Sequence, residues 1–200
     1  MNQFAKMKWL SSLFLLSIAF PTLSSANDYR KQGKTVSVAK SDMRVTPPQD
    51  WNKLDARPGR RAETWTLDGE LLNDVTFFGG IAHGKPLVKE RDKKRAPLPK
   101  FEKSTLLVEV PELLEGTYRA YKQIGLFDLT SIEPGRFLDR DGVHFSYEYV
   151  DKDGLTRKGE ARATVVDEEL FMVTFDAPRL YYFDRTLAAY RSLADTAVLE

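Results

Sequence analysis

The chain of 200 residues contains no cysteine. Disulfide bonds are therefore excluded, and the fold must be held together by an ordinary apolar core. A covalent lipid anchor of the bacterial lipoprotein type is excluded for the same reason, because it requires a cysteine at the signal cleavage site. A cysteine nucleophile is likewise excluded.

Histidine and net charge are also scarce. The sequence has two histidines, and its 30 basic and 29 acidic residues give a formal net charge of +1. No strong positive field favours nucleic acid as a partner. His83 and His144 lie far apart, and neither has a second ligand at a diagnostic spacing, so no metal site and no cofactor is expected. His83, in a glycine-rich loop, is the one weak candidate for a catalytic residue.

Long apolar runs are confined to the N-terminus. Residues 1–26 have the order of a cleavable signal peptide: Lys6 and Lys8, then a largely apolar stretch, then Pro21 and small residues up to Ala26. The apolar stretch is too short to span a bilayer of roughly 30 Å as a helix. We therefore expect cleavage near Ala26, a periplasmic or secreted mature protein, and no transmembrane helix in it.

The rest of the sequence predicts one domain. Residues 27–34 are polar and are predicted to form a flexible segment, followed by a single α+β domain over residues 35–200. Strands are predicted over residues 35–47 (one bent strand or two short ones), 62–67, 74–81, 127–132, 143–150, 155–166 and 170–175. The alternation is sharpest in 143–150, where Phe145, Tyr147 and Tyr149 share one face. Closely spaced strands with short turns indicate an antiparallel sheet.

Two helices are predicted to cover this sheet. The first runs from about residue 111 to 123, whereas residues 101–110 fit either a helix or a strand. The second ends the chain, with Asp184 as its N-cap and an apolar stripe at spacings of three and four residues. We therefore expect an antiparallel sheet of about six or seven strands covered by two or more helices, including a C-terminal amphipathic helix.

The most distinctive polar feature is an aperiodic segment over residues 83–100, which we call the basic loop. Its predicted binding residues are Lys85, Lys89, Arg91, Lys93, Lys94 and Arg95, and Arg57, Arg60 and Arg61 are candidates to lie nearby. Outside the cytoplasm such a patch would meet an anionic envelope component or an acidic protein partner. A solvated, mobile loop is the alternative interpretation.

Several short segments together resemble a family of uncharacterised exported bacterial proteins. They are Val45-Thr46-Pro47-Pro48 with Trp51-Asn52, Trp65-Thr66-Leu67-Asp68-Gly69, Phe78-Gly79-Gly80-Ile81, Asp153-Gly154-Leu155 and Phe175-Asp176-Ala177-Pro178. Members of that family are usually lipoproteins, and this chain differs in lacking the cysteine. More distantly, the order of elements is similar to the fold of PsbP-type and Mog1-type proteins, which implies a sheet between helices.

Two classes of function follow as hypotheses. The first is a non-enzymatic binding or accessory protein of the cell envelope that acts through the basic loop. The alternative is an envelope hydrolase that uses carboxylates, with His83 as a candidate. The resemblance carries no activity with it, because a fold of this kind hosts many roles.

Overall fold

The structure is a computed structural model that describes residues 28–200, so the predicted signal peptide and its cleavage site lie outside the described residues. It contains two α-helices, α1 (Val110–Tyr121) and α2 (Tyr182–Ala194). The strands are β1 (Asp28–Arg30), β2 (Val36–Ser37), β3 (Met43–Val45), β4 (Trp51–Lys53), β5 (Ala62–Thr66), β6 (Asp74–Ile81), β7 (Phe127–Phe137), β8 (Arg140–Val150), β9 (Thr156–Val166), β10 (Glu169–Pro178) and β11 (Val198–Leu199).

Eight strands form the main antiparallel sheet, in the order β1-β4-β5-β6-β10-β9-β8-β7. The second half of the sheet, β7 to β10, is the meander that the closely spaced turns predict, with β10 crossing back to pair with β6. A small second sheet has the order β11-β3-β2. The α+β class and the antiparallel pairing are confirmed.

Each face of the main sheet has its own apolar core, because neighbouring residues of a strand point to opposite faces. On one face, Phe78 of β6 and Met172 of β10 pack with Leu114 of α1. On the other face, Phe77 of β6 packs with Tyr190 of α2 and with residues of the small sheet. The sheet is thus covered on both sides, with α1 and α2 on opposite faces.

The predicted face of β8 is buried as expected: Phe145, Tyr147 and Tyr149 are each 2% exposed or less. The predicted helix over residues 111–123 is α1. In the ambiguous segment before it, residues 107–109 form a 3-10 helix that leads into α1, rather than a strand. Residues 35–47 form two short strands, since Ala39 and Lys40 adopt positive φ between them.

The predicted strand count and C-terminus need correction. The main sheet has eight strands rather than six or seven, because the three-residue strands β1 and β4 are too short to show a sequence period. The chain does not end in a helix: α2 stops at Ala194, and β11 follows and pairs with β3. Asp184 is not the N-cap but lies in the first turn of α2, which begins after Tyr181.

The N-terminal segment forms an edge of the main sheet. Within the segment 27–34, for which the sequence predicts flexibility, residues 28–30 pair with β4. Asp28 accepts a hydrogen bond from Lys53 at 3.2 Å, and Arg30 lies 3.5 Å from Glu63. These charge pairs attach a segment that has little apolar surface to bury.

Among residues 28–200, neither helix has the length and apolar character needed to cross a membrane.

Candidate functional site

The two ends of the basic loop are joined by a backbone hydrogen bond, and a second one attaches the loop to the segment before β5. The backbone N–H of Gly84 donates to Phe101 at 2.7 Å, and that of Lys89 donates to Pro58 at 2.8 Å. Leu87 and Phe101 are each 1% exposed, so they tie the loop into the core under α1. These contacts fix the path of the loop backbone around Gly84 and Lys89.

Beside this loop lies a groove of about 810 Å³, which we call the basic groove. Its walls come from the segment before β5, the end of β6, the basic loop and the start of β10. Six basic side chains line it: Arg57, Arg60, Arg61, Lys85, Lys89 and Lys93. The expected proximity of the three arginines to the loop is therefore observed, and it results from the Lys89–Pro58 contact.

The charge of the basic groove is largely uncompensated. Two acidic side chains, Glu90 and Glu169, also line it. Within residues 28–200, the side chains of Arg60, Lys85 and Lys89 have no hydrogen bond or ion pair. Such cations attract an anion without first having to break an internal pair.

The remaining basic groups of the groove are partly engaged. Arg57 lies 3.7 Å from Glu63, and Lys93 lies 4.0 Å from Glu90. Arg61 donates to the carbonyl of Lys40 at 2.6 Å, which fixes its guanidinium at the groove wall.

The six predicted binding residues thus separate into groups. Lys85, Lys89 and Lys93 line the basic groove, whereas Lys94 and Arg95 are exposed outside it. Arg91 faces another way and stacks on Tyr121, with its guanidinium carbon 4.6 Å from the ring centroid. Their role in binding stays a prediction, but the geometry now distinguishes residues that can act together from those that cannot.

His83 lies outside the basic groove. Its side chain is half exposed, and Nδ1 lies 2.7 Å from the carboxylate of Glu102. Nδ1 also accepts a hydrogen bond from the backbone N–H of Lys103 at 3.4 Å. Among the described residues, Glu102 is the one titratable side chain that contacts the ring, so this geometry adds no further catalytic group to the hydrolase hypothesis.

A second polar site, which sequence reasoning missed, lies under α1 at the opposite end of β6. Asp74 of β6 and Asp176 of β10 are directly opposite each other in the sheet. Asp176 is 0% exposed, and its Oδ2 accepts hydrogen bonds from Tyr118 at 2.5 Å and Lys122 at 3.3 Å. Asp74 lies 3.6 Å from Arg157. We call these five residues the buried cluster.

Burial dominates the electrostatics of the buried cluster. Burial raises the pKa of Asp74 to about 6, although Lys122 and Arg157 oppose the shift. Burial alone would lower the pKa of Lys122, but Asp176 and Asp74 hold that pKa well above its ordinary value. Lys122 is therefore a permanent cation, whereas Asp74 exchanges a proton near neutral pH.

The buried cluster forms one wall of a smaller pocket of about 240 Å³, which we call the side pocket. Asp74, Tyr118 and Lys122 line it together with Thr64, Thr76, Thr117 and Tyr121, while Arg57 and Arg91 also contribute. The sequence signal for this site was weak. An aspartate inside a buried strand is unusual, but its partners on α1 and β10 come from distant segments.

No group of three or more histidine, aspartate or glutamate side chains suited to a metal ion is found in the part of the chain that the structure describes.

The sequence matches no known family and no curated protein. Among solved structures, cyanobacterial PsbP (CyanoP) from Synechocystis sp. PCC 6803 is similar with a TM-score of 0.52 and 13% identity, over 91% of this chain and 98% of that one. A protein from Bacteroides thetaiotaomicron has a TM-score of 0.50 and 11% identity over 84% of this chain. This chain spans about half of that protein, 49% of its length.

The Ran-binding protein Mog1p of Saccharomyces cerevisiae is also similar, with a TM-score of 0.47 and 9% identity over 84% of this chain and 96% of that one. Identities this low say nothing about activity, and the shared fold rests on the two structures with TM-scores of 0.50 and 0.52. The likeness to CyanoP confirms the PsbP-type fold that the order of elements predicted.

Proposed function

We propose that this chain is a non-enzymatic binding or accessory protein of the cell envelope, which binds an anionic envelope component in the basic groove. The observation that carries the proposal is the set of side chains Arg60, Lys85 and Lys89, which line one groove with no internal acidic partner. Holding like charges together destabilises the free protein slightly, and a bound anion removes that repulsion.

Export is part of the proposal. It rests on the signal-like order of residues 1–26, which directs the mature chain to the periplasm or the outside of the cell. Mass spectrometry of the protein recovered from a periplasmic extract should give Asn27 as the first residue. Recovery of the full-length chain in the cytoplasm alone would refute this part of the proposal.

Binding can be tested with a matched pair of triple variants. Arg60→Gln/Lys85→Gln/Lys89→Gln neutralises three cations in the groove, whereas Lys94→Gln/Arg95→Gln/Lys100→Gln neutralises three exposed cations outside it. Both variants have the same net charge. Binding is measured by titration against lipopolysaccharide and against phosphatidylglycerol vesicles, with phosphatidylcholine vesicles as the uncharged reference.

The wild-type protein should bind at least one of the two anionic probes, more tightly at low than at high salt. The groove variant should lose about tenfold or more in affinity, while the variant outside the groove should change by less than about twofold. Equal losses in both variants would show that only the overall charge matters. Absence of binding to both anionic probes would refute the proposal.

A further inference from the structure

An acidic side chain without a partner lies in the basic groove. Glu169, the first residue of β10, lines the groove and is half-buried. Within residues 28–200 its carboxylate accepts no hydrogen bond and forms no ion pair, although six basic side chains line the same groove. The other groove acid, Glu90, is engaged, since it accepts a hydrogen bond from the backbone N–H of Leu98 at 3.3 Å and lies 4.0 Å from Lys93. Glu169 therefore presents an unused negative charge to a ligand.

A β-bulge in β6 makes room for this carboxylate. Gly79 and Ile81 each have a partner on β10, whereas Gly80 between them has none, so Gly80 is the extra residue of the bulge. Its φ is +73°, a conformation that glycine adopts without strain. A Cβ at Gly80 would lie 2.5 Å from Oε2 of Glu169, which is too close for a side chain. The carboxylate thus lies against the groove wall where Gly80 has only a hydrogen.

The basic groove therefore carries unpaired charges of both signs. Arg60, Lys85 and Lys89 come from the segment before β5 and from the basic loop, and Glu169 comes from β10. In the described part of the chain none of these cations forms an ion pair with Glu169. A carboxylate attracts an ammonium group and repels a phosphate, so Glu169 disfavours a simple anion that the three cations attract. A ligand with both a phosphate and an ammonium group satisfies all four side chains.

We propose that the basic groove binds a phosphate ester that also carries an ammonium group, with the phosphate on Arg60, Lys85 and Lys89 and the ammonium group on Glu169. Phosphoethanolamine, as a free compound or as a lipid headgroup, has this chemistry. The inference rests on the proposed function, because the groove must bind the phosphate for it to hold.

The experiment compares phosphoethanolamine with ethyl phosphate, which has the same phosphate and carbon chain but no ammonium group. Binding is measured by titration monitored with NMR chemical shifts at about pH 8, where phosphate monoesters are fully ionised. Attraction to the cations alone favours ethyl phosphate, because its net charge is more negative. The wild-type protein should nevertheless bind phosphoethanolamine about threefold or more tightly, as a partly exposed ion pair implies.

A matched pair of single variants tests the role of Glu169. Glu169→Gln removes the charge at nearly constant volume and should reverse the preference, so that ethyl phosphate binds more tightly. Glu168→Gln makes the same change in the preceding residue, which pairs with Lys103 and does not line the groove, and it should keep the wild-type preference. Both variants have the same net charge. Unfolding curves establish that both are folded, and the wild-type preference decides if Glu169→Gln does not fold.

Vesicles distinguish the two sources of the headgroup. Phosphatidylcholine vesicles that contain phosphatidylethanolamine are compared with phosphatidylcholine vesicles alone. Tighter binding of the wild type to the first kind, weakened in Glu169→Gln, would support the inference and assign the headgroup to a lipid. A preference for phosphoethanolamine in solution with no difference between the vesicles would support it and assign the free compound.

The outcomes separate the inference from the proposed function. A wild-type affinity for ethyl phosphate equal to or higher than that for phosphoethanolamine would overturn the inference and leave an anion-binding groove. A reversed preference in Glu168→Gln as well would show that the overall charge decides, and it would overturn the role of Glu169. Absence of binding to both esters would also overturn the inference. The proposed function itself falls only if lipopolysaccharide and phosphatidylglycerol vesicles fail to bind too.

Discussion

Asp74 and Asp176 face each other across the β6–β10 pair, and both carboxylates are buried under α1. Two acids on one buried face repel each other, and Lys122 and Arg157 compensate for them. Compensation is incomplete: Oδ1 of Asp176 is buried and has no hydrogen-bond partner among the described residues. This relationship makes the buried cluster sensitive to protonation and to the loss of any one member.

Asp74 should make the stability of the fold depend on pH. Its pKa is about 6 in the fold and 3.8 ordinarily, so between these values the folded protein holds a proton that the unfolded chain has released. The free energy of unfolding should therefore fall as pH rises from about 4 to about 6, by about 3 kcal/mol for this group. The variant Asp74→Asn has no carboxyl group to titrate at this position, so its stability should lack this dependence on pH.

Urea unfolding of the wild type and of Asp74→Asn at a series of pH values checks this prediction. The difference in stability between them should shift in favour of the variant as pH rises to 7. Asp128→Asn, at an exposed position of β7, should show no such shift. A difference that is constant over this range would contradict the raised pKa of Asp74.

Lys122 should be required as the ion-pair partner of the Asp176 carboxylate in the core. Lys122→Met leaves the Asp176 carboxylate with Tyr118 as its remaining side-chain donor, and we expect a loss of about 3 kcal/mol in the free energy of unfolding. The double variant Lys122→Met/Asp176→Asn should be more stable than Lys122→Met alone, because an amide needs no counter-charge. Denaturant unfolding of the single and the double variant measures the difference in their stability. Lys152→Met, at an exposed position, is the control. A double variant no more stable than the single one would contradict it.

Thr174 should tolerate the loss of its hydroxyl. It is 0% exposed, and its Oγ1 has no hydrogen-bond partner within residues 28–200. Thr174→Val should therefore raise the free energy of unfolding by about 1 kcal/mol. The matched variant is Thr164→Val, at an equally buried position whose hydroxyl donates to the Asp141 carbonyl at 2.7 Å, and it should lower stability by about the same amount. Destabilisation by both substitutions in equilibrium unfolding would show that the Thr174 hydroxyl is satisfied.

Gly159 should be intolerant of a side chain. It pairs with Tyr147 across the β8–β9 ladder, and a Cβ built on it would overlap the Tyr147 ring. Gly159→Ala should cost about 1–3 kcal/mol, since Tyr147 is 1% exposed and has no room to move. Gly125→Ala is the control, because a Cβ there meets no atom within 4 Å. Thermal unfolding of both variants tests the contact, and equal midpoints would contradict it.

Much of the fold could be predicted because its long strands have a clear period. The alternation around Phe145, Tyr147 and Tyr149 correctly predicted the buried face of β8. The extension of β7 to Phe137 was missed because Pro134 normally interrupts a strand. Pro134 is tolerated because β7 is an edge strand, where the missing N–H of a proline can face away from the neighbouring strand.

The binding site could be predicted only in part. A cluster of basic residues on an irregular loop has no period, so the sequence cannot indicate that Lys89 faces the groove while Lys94 faces away. The attachment of the loop to Pro58 decides this. Glu169 joins the groove through the pairing of β10 with β6, which no local pattern encodes.

What the sequence by itself determined is therefore local chemistry: no disulfides, strands and helices of recognisable period, and a concentration of positive charge in one loop. The tertiary structure alone decided which charges meet. Asp74, Lys122 and Asp176 come from three separate elements, and only the sheet register and the packing of α1 place them together. The physical reason is that electrostatic interactions depend on distance and burial, and for residues far apart in the chain both are set by the fold.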